Sequence, residues 1–377
     1  MGRDHGKGCY VDYEVDVEMR RSSPWPALLG VGLLLGCQPR LPDVDAYGQR
    51  VAVGSETDVE LCAGTLDSYD EHVRFVEEEL GIARPANDMI EVFVVEDTAS
   101  WCRDVEACYI GGWVDATFVP ADAASSVWHE LVHHVVAGSD IGMTDRFLSE
   151  GLASAMGDDW CPPTPDATWP STPLTELLGQ EDVAFKDYPR GAVFIDFVRE
   201  SYGTDALVEL IRCVHRGDAM SRVEACFERT FGRGVAAVGR EFELAAPPHH
   251  PNPALCRGPV ERWSGDAWST EVPLGCGDAA VVNTFSSATA REVVTLLEIP
   301  RPGWYELAAD GDGAATVDLE PCFCSTTGAR LYSEPASDLV WVGEAGTHRV
   351  VVSTADPSTT RARVSLTPSE RELAPPV

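Results

Sequence analysis

The stretch His129-Glu130-Leu131-Val132-His133 lies inside an apolar run (Val127, Trp128, Leu131, Val132, Val135, Val136) whose spacing predicts a helix. Residues four apart on a helix share one face, so both imidazoles aim at one spot. Two neutral imidazoles at that spacing suit a tetrahedral Zn²⁺ with positions left for other ligands. Glu130 stands one step round the helix, where a carboxylate can take a proton from the water that the metal activates. A core helix that happens to carry two histidines has the same pattern, so residues C-terminal to this helix must decide between the two.

A zinc site built for hydrolysis needs a third protein ligand and an open position. After a short connection, Gly138 to Asp145, the segment Phe147-Leu148-Ser149-Glu150-Gly151-Leu152-Ala153 predicts a second helix with Glu150 among small and apolar residues. Its carboxylate completes a His₂Glu set; a carboxylate favoured by the dipole of a helix start is the plainer alternative. H-E-x-x-H followed by E-G-L-A resembles the gluzincins, the HExxH…E zinc metallopeptidases of peptidase MA-like fold that include the thermolysin and aminopeptidase-N families. The resemblance covers about half of the chain, concentrated between residues 107 and 243.

The resemblance implies further roles. Tyr188-Pro189-Arg190-Gly191-Ala192 opens another apolar helix and is similar to the Y-x-K-G-A stretch of the aminopeptidase-N family, with Arg190 in the lysine's place. Tyr188 then matches the tyrosine whose hydroxyl stabilises the oxyanion, a task that suits a phenol that stays protonated near neutral pH. Tyr202 and Tyr109 are the other candidates. In the gluzincin fold the strand before the zinc helix is a sheet edge on which substrate adds as a further strand. Here that role falls to the β-rich segment Cys108 to Val119, in which Gly111-Gly112 suggests a turn or bulge, with Gly111, Gly112 and Trp113 as the substrate-binding residues. The G-x-M-E-N motif of the aminopeptidases is missing, which argues against a simple aminopeptidase. Ser154 stands where thermolysin-type enzymes carry a histidine-orienting aspartate, leaving that task to a carbonyl or Asp158.

The beginning of the chain bears on location. Met19-Arg20-Arg21, an apolar run from Trp25 to Leu35, and Leu34-Leu35-Gly36-Cys37 read as a signal peptide with a bacterial lipobox, Cys37 being the lipidated residue. The acidic residues among positions 1–18 are out of place ahead of such a signal, which points to Met19 as the true start. The expected location is the bacterial cell envelope, lipid-anchored at the outer membrane, or the extracellular space. Without Cys9 and Cys37, ten cysteines remain (Cys62, Cys102, Cys108, Cys161, Cys213, Cys226, Cys256, Cys276, Cys322, Cys324), an even number that fits a disulfide framework. Neighbouring cysteines suggest the pairs Cys102–Cys108, Cys213–Cys226 and Cys256–Cys276. A formal net charge of −33 excludes a general nucleic-acid-binding role, because a polyanion would be repelled.

The expected fold class is α+β. A gluzincin-like catalytic domain over 61–246, with a mixed sheet, an edge strand and a helical subdomain, precedes a small all-β sandwich domain over 257–368. A signal segment (1–37) and a tether (38–60) come first, a Pro-rich linker (247–256) separates the domains, and a tail (369–377) ends the chain. Thr204 and Ser221 are candidate N-caps, Ser221 with Glu224 forming a capping box. Short strand-like runs (293–299, 304–308, 315–319, 339–342, 348–353, 362–366) between Gly, Pro and Ser predict the sandwich. The functional expectation is a zinc peptidase that acts as a monomer on peptide or protein substrates, with the membrane met through the anchor. A gluzincin-like lipoprotein that binds without catalysis is the alternative, and hydrolysis of a non-peptide amide is a third option.

Overall fold

The computed structural model describes residues 41–57, 59–85, 88–102, 107–112, 114–121, 126–142, 144–157, 172–180, 183–245, 250–251, 256–283, 289–324, 332–333 and 339–370. The lipobox with Cys37, the Met19 start, Trp113, Asp158 and Cys161 lie outside these residues, as does most of the expected tail.

The first part of the fold is a mixed sheet of five strands: β1 (Val44–Tyr47), β2 (Val51–Ser55), β3 (Ile90–Val95), β4 (Cys108–Ile110) and β5 (Ala116–Pro120). Their order is β1-β2-β3-β5-β4, parallel through β2, β3 and β5, with β1 and β4 antiparallel at the two edges. Between β2 and β3 runs α1 (Ala63–Leu80), which ends on left-handed Gly81, whose N–H, with that of Ile82, returns to the last-turn carbonyls. A short α2 (Ala99–Cys102) precedes β4. The histidine helix α3 (Ser126–Ala137) follows β5 directly. Val51, Val53, Val92, Val94 and Val119 of the sheet share one core with Tyr69, Val73 and Val76 of α1 and with Val127, Leu131 and Val135 of α3. The period-3.6 apolar stripe of α3 therefore packs on the sheet and leaves its histidine face turned away.

The helical part continues through α4 (Arg146–Gly157), α5 (Leu174–Leu177), α6 (Tyr188–Tyr202), α7 (Thr204–Cys213), α8 (Met220–Phe231) and α9 (Val235–Leu244). The expected caps are not used. Gly203 and Ala219 precede α7 and α8, and neither helix start carries a side-chain cap. Glu224 instead accepts the N–H of Val235 at 2.9 Å, because it faces the start of α9 rather than its own helix start.

Short β6 (His250–Pro251) leads to β7 (Val260–Arg262), β8 (Trp268–Pro273), β9 (Val282–Asn283), β10 (Arg291–Ile299), β11 (Gly303–Gly311), β12 (Thr316–Pro321), β13 (Phe323–Cys324), β14 (Tyr332–Ser333), β15 (Leu339–Val342), β16 (Gly346–Thr354) and β17 (Arg361–Pro368). One sheet runs β12-β16-β10-β7 with β9 also on β10, and the other β14-β15-β11-β17-β8; β6 pairs with β13 apart from both. Val293, Leu297, Val350 and Val352 from the first sheet meet Tyr305, Val340, Val364 and Leu366 from the second, the alternating inward positions of facing sheets. The molecule is thus mixed α and β, with the helices gathered ahead of the two-sheet region.

Four disulfides occur among the described residues: Cys62–Cys276, Cys102–Cys108, Cys213–Cys226 and Cys256–Cys322. Two of the expected neighbour pairs form. The third, Cys256–Cys276, does not, because the Gly275–Asn283 segment lies against the start of α1. There Cys276 bonds to Cys62, and the Cys276 and Val281 carbonyls accept the N–H groups of Ala63 (2.8 Å) and Gly64 (3.0 Å). Asn283 Oδ1 accepts the Cys62 N–H at 2.7 Å and the Thr65 hydroxyl at 2.8 Å. Amides that a helix start leaves unpaired are satisfied from the sandwich. Gly64 admits this approach, since a Cβ there would collide with the Ala279 carbonyl. Disulfides in this number belong to an oxidising, extracytoplasmic compartment. No helix among the described residues is long and apolar enough to cross a membrane.

Candidate metal centre

On α3 the rings of His129 and His133 stand edge to face, their centroids 4.8 Å apart and their Nε2 atoms 3.1 Å apart. Glu150 enters from α4, with its Oε2 3.0 Å from His129 Nε2 and 3.4 Å from His133 Nε2. All three ligand atoms lie within 4.8 Å of one another. Bonds of ~2.0–2.1 Å in a tetrahedron place neighbouring ligand atoms ~3.3 Å apart, so these separations fit one ion of that kind. Glu150 is 2 % exposed, and burial alone would push its pKa up. The charges and hydrogen bonds of the two imidazoles outweigh burial and hold it well below the ordinary carboxylate range, in the anionic form a ligand needs.

Glycines set the helix spacing that makes this convergence possible. A Cβ on Gly151 would meet the Gly191 carbonyl carbon at 2.5 Å, and one on Gly191 would meet Gly151 Cα at 2.7 Å. The backbones of α4 and α6 therefore touch, which brings Tyr188 beside Glu150. Gly157 does the same between α4 and α3, since a Cβ there would lie 2.6 Å from His129 Cα. Asp145 anchors the start of α4, accepting the N–H groups of Phe147 (3.0 Å) and, across the loop, Gly179 (2.8 Å).

Around the triad, Ser149 Oγ lies 3.0 Å from His133 Nδ1, which fixes that ring and leaves Nε2 directed at Glu150. Arg146, the first residue of α4, reaches back to Glu150 Oε1 at 2.9 Å. The Tyr188 ring lies parallel to that of His129, centroids 6.1 Å apart, and its hydroxyl hydrogen-bonds with Arg146 and Glu150. Burial and the Glu150 charge push the phenol up to about 12, so it is protonated near neutral pH. Glu130 is buried beside the histidines and accepts the backbone N–H of Tyr109. Burial raises its pKa, and the neighbouring imidazoles only partly counter this.

The expected substrate-binding segment, Cys108 to Val119, folds as a hairpin. β5, which precedes the histidine helix, is interior to the sheet; the edge is its hairpin partner β4. Gly111 and Gly112, where the sequence suggests a turn or bulge, form the turn between them, with Gly112 at φ 86°. A hairpin folds back here because Gly112 and Asp115 (φ 47°) take the left-handed conformation. Tyr109 and Tyr202 are occupied elsewhere: their hydroxyls donate to Asp115 Oδ1 at 2.7 Å and to Glu241 Oε2 at 2.8 Å. Arg190 pairs with Glu243 and lies over the Phe242 ring. Ser154 Oγ is buried with no hydrogen-bond partner among the described residues and orients neither histidine.

Ser149 and Arg146 are the residues around the centre that the motifs do not announce. Arg146 had a signal, since it stands four residues before Glu150 and so on the same helix face. Ser149 had a weaker one, as the residue before the ligand. No protein-family description matches the chain, and no curated protein is similar to it.

Proposed function

We propose that the protein is a gluzincin-like zinc metallopeptidase that acts outside the cytosol, held at the bacterial envelope by a lipid on Cys37. The observation that carries the reading is the convergence of His129, His133 and Glu150, with a buried carboxylate, Glu130, beside them. These three residues would hold the ion, and Zn²⁺ suits a His₂Glu donor set with an open position. When bound, the ion acts as a Lewis acid on the scissile carbonyl and on water. Glu130, its pKa raised by burial, accepts the proton of the attacking water and returns it to the leaving amine. Tyr188, protonated at working pH, donates to the oxyanion. The outer edge at β4 offers backbone groups to an extended peptide, although Glu130 already takes one of its N–H groups.

The test is a peptide-library digest by purified chain starting after Cys37, with and without chelator, together with its metal content. The expected result is stoichiometric zinc, chelator-sensitive cleavage, and retention of zinc by Glu130→Gln with turnover reduced roughly 10²–10⁴-fold. Cleavage that survives both chelation and Glu130→Gln would sink the proposal.

A further inference from the structure

We infer that Arg146 is a positioning residue of the metal centre: its guanidinium fixes the rotation of the Glu150 carboxylate and the direction of the Tyr188 hydroxyl together. This rests on the peptidase reading for what Tyr188 does, but not for what Glu150 holds. Three observations lead to it. First, Glu150 is held from two sides: Oε2 faces both imidazoles, and Oε1 forms an ion pair with Arg146 at 2.9 Å without hydrogen-bond geometry. A guanidinium charge beside one oxygen favours the rotation that keeps the other directed at the histidines; without it, the carboxylate is freer to turn about its last bond. Second, Arg146 also hydrogen-bonds to Tyr188. One guanidinium therefore places its charge beside Glu150 while an N–H in a fixed direction serves Tyr188. With Glu150 as its single anchor, the hydroxyl would follow that carboxylate as it turns. With Arg146 donating to the phenol oxygen, the hydroxyl has a second anchor and a defined direction.

Third, the position is a poor one for a cation. Arg146 opens α4, and a positive charge at a helix start opposes the helix dipole. Within the helix only the i,i+4 pair with Glu150 itself favours arginine there, and the site adds a second reason: α4 and α6 both begin at this point and cross at Gly151–Gly191, so one side chain spans both starts. A residue that breaks a local rule beside a chemical site is expected to serve the site. With 36 % of its side chain exposed, Arg146 is not needed as core filler.

The experiment compares Arg146→Ala and Arg146→Gln with wild type and with Tyr188→Phe and the double variant Arg146→Ala/Tyr188→Phe. Zinc affinity is read by chelator competition, hydrolysis by kcat and KM, and folding by thermal unfolding of the metal-free protein. Expected is zinc binding weakened about 10–100-fold, the size typical of lost groups that orient metal ligands. The loss in hydrolysis should fall on kcat with KM little changed, and it should shrink in the Tyr188→Phe background. Arg146→Lys should restore only part, because an ammonium cannot span two partners in fixed directions. Zinc affinity and kcat within twofold of wild type would overturn the inference, as would a loss confined to KM, which would make Arg146 a substrate contact. Absence of hydrolysis in the wild type would count against the peptidase reading alone, since zinc affinity still decides whether Arg146 sets Glu150. If Arg146→Ala does not fold, Arg146→Gln, closer in size, carries the same comparison.

Discussion

Replacing Gly191 with alanine sets two forces of opposite sign against each other. Taken alone, an alanine in place of glycine inside a helix should stabilise the chain by about 1 kcal/mol. The added Cβ, however, would sit 2.7 Å from Gly151 Cα and 3.1 Å from both Gly151 N and the Phe147 carbonyl oxygen. Carbon atoms in ordinary contact stand ~3.5–4.0 Å apart, so α4 and α6 must separate by about 1 Å. Overpacking of that kind costs about 1–3 kcal/mol, which cancels or reverses the gain from propensity. Glu150 rides on one of these helices and Tyr188 on the other, so the displacement opens the centre itself. A misplacement of about 1 Å can lower catalysis about 10²-fold. The assay is chemical denaturation of Gly191→Ala beside its kcat/KM on a peptide chosen from the library digest. A variant more stable by about 1 kcal/mol and fully active would refute the argument that backbone contact between these helices builds the site.

Two further expectations concern residues around the triad and beneath it. Ser149→Ala removes the partner of His133 Nδ1 and should weaken zinc binding about 10–100-fold by chelator competition while leaving metal-free stability nearly unchanged. His72 is buried against Trp128 and near the Arg257 charge, and burial first, then that charge, push its pKa down to about 3. The folded state therefore refuses a proton that the unfolded chain accepts near pH 6.5, so stability is fully present above that pH and is lost as pH falls toward 3. Between pH 6.5 and 4.5 this group should account for roughly 2 kcal/mol of lost stability. Denaturant titrations of the metal-free protein should show a shallower acid decline for His72→Gln, and equal slopes for the two proteins would contradict the assignment.

The parts of the fold and centre that were legible in the sequence are those governed by short spacing. Two histidines four apart on an apolar stripe need no tertiary information to face one way, and Glu150 falls inside the next predicted helix. Cys102–Cys108 and Cys213–Cys226 formed because each pair closes a short loop. The misreadings have the opposite character. Nothing near Cys276 in sequence signals that it meets Cys62, 214 positions away, because that contact is made by a segment packing on a helix start. Glu224 satisfies both the local cap pattern and a partner on another helix, and the tertiary partner prevailed.

The seam at Cys62 and Cys276 changes how the C-terminal module should be regarded. The module finishes a helix whose Tyr69 and Val73 belong to the same core as the histidine helix, so it serves as a footing for the helical half rather than a pendant. Excision at the Pro-rich stretch would leave a half-cystine and several bare amides at the start of α1, a wound at the base of the scaffold. Anything that grips the module from outside therefore also takes hold of the scaffold on which the histidine helix rests.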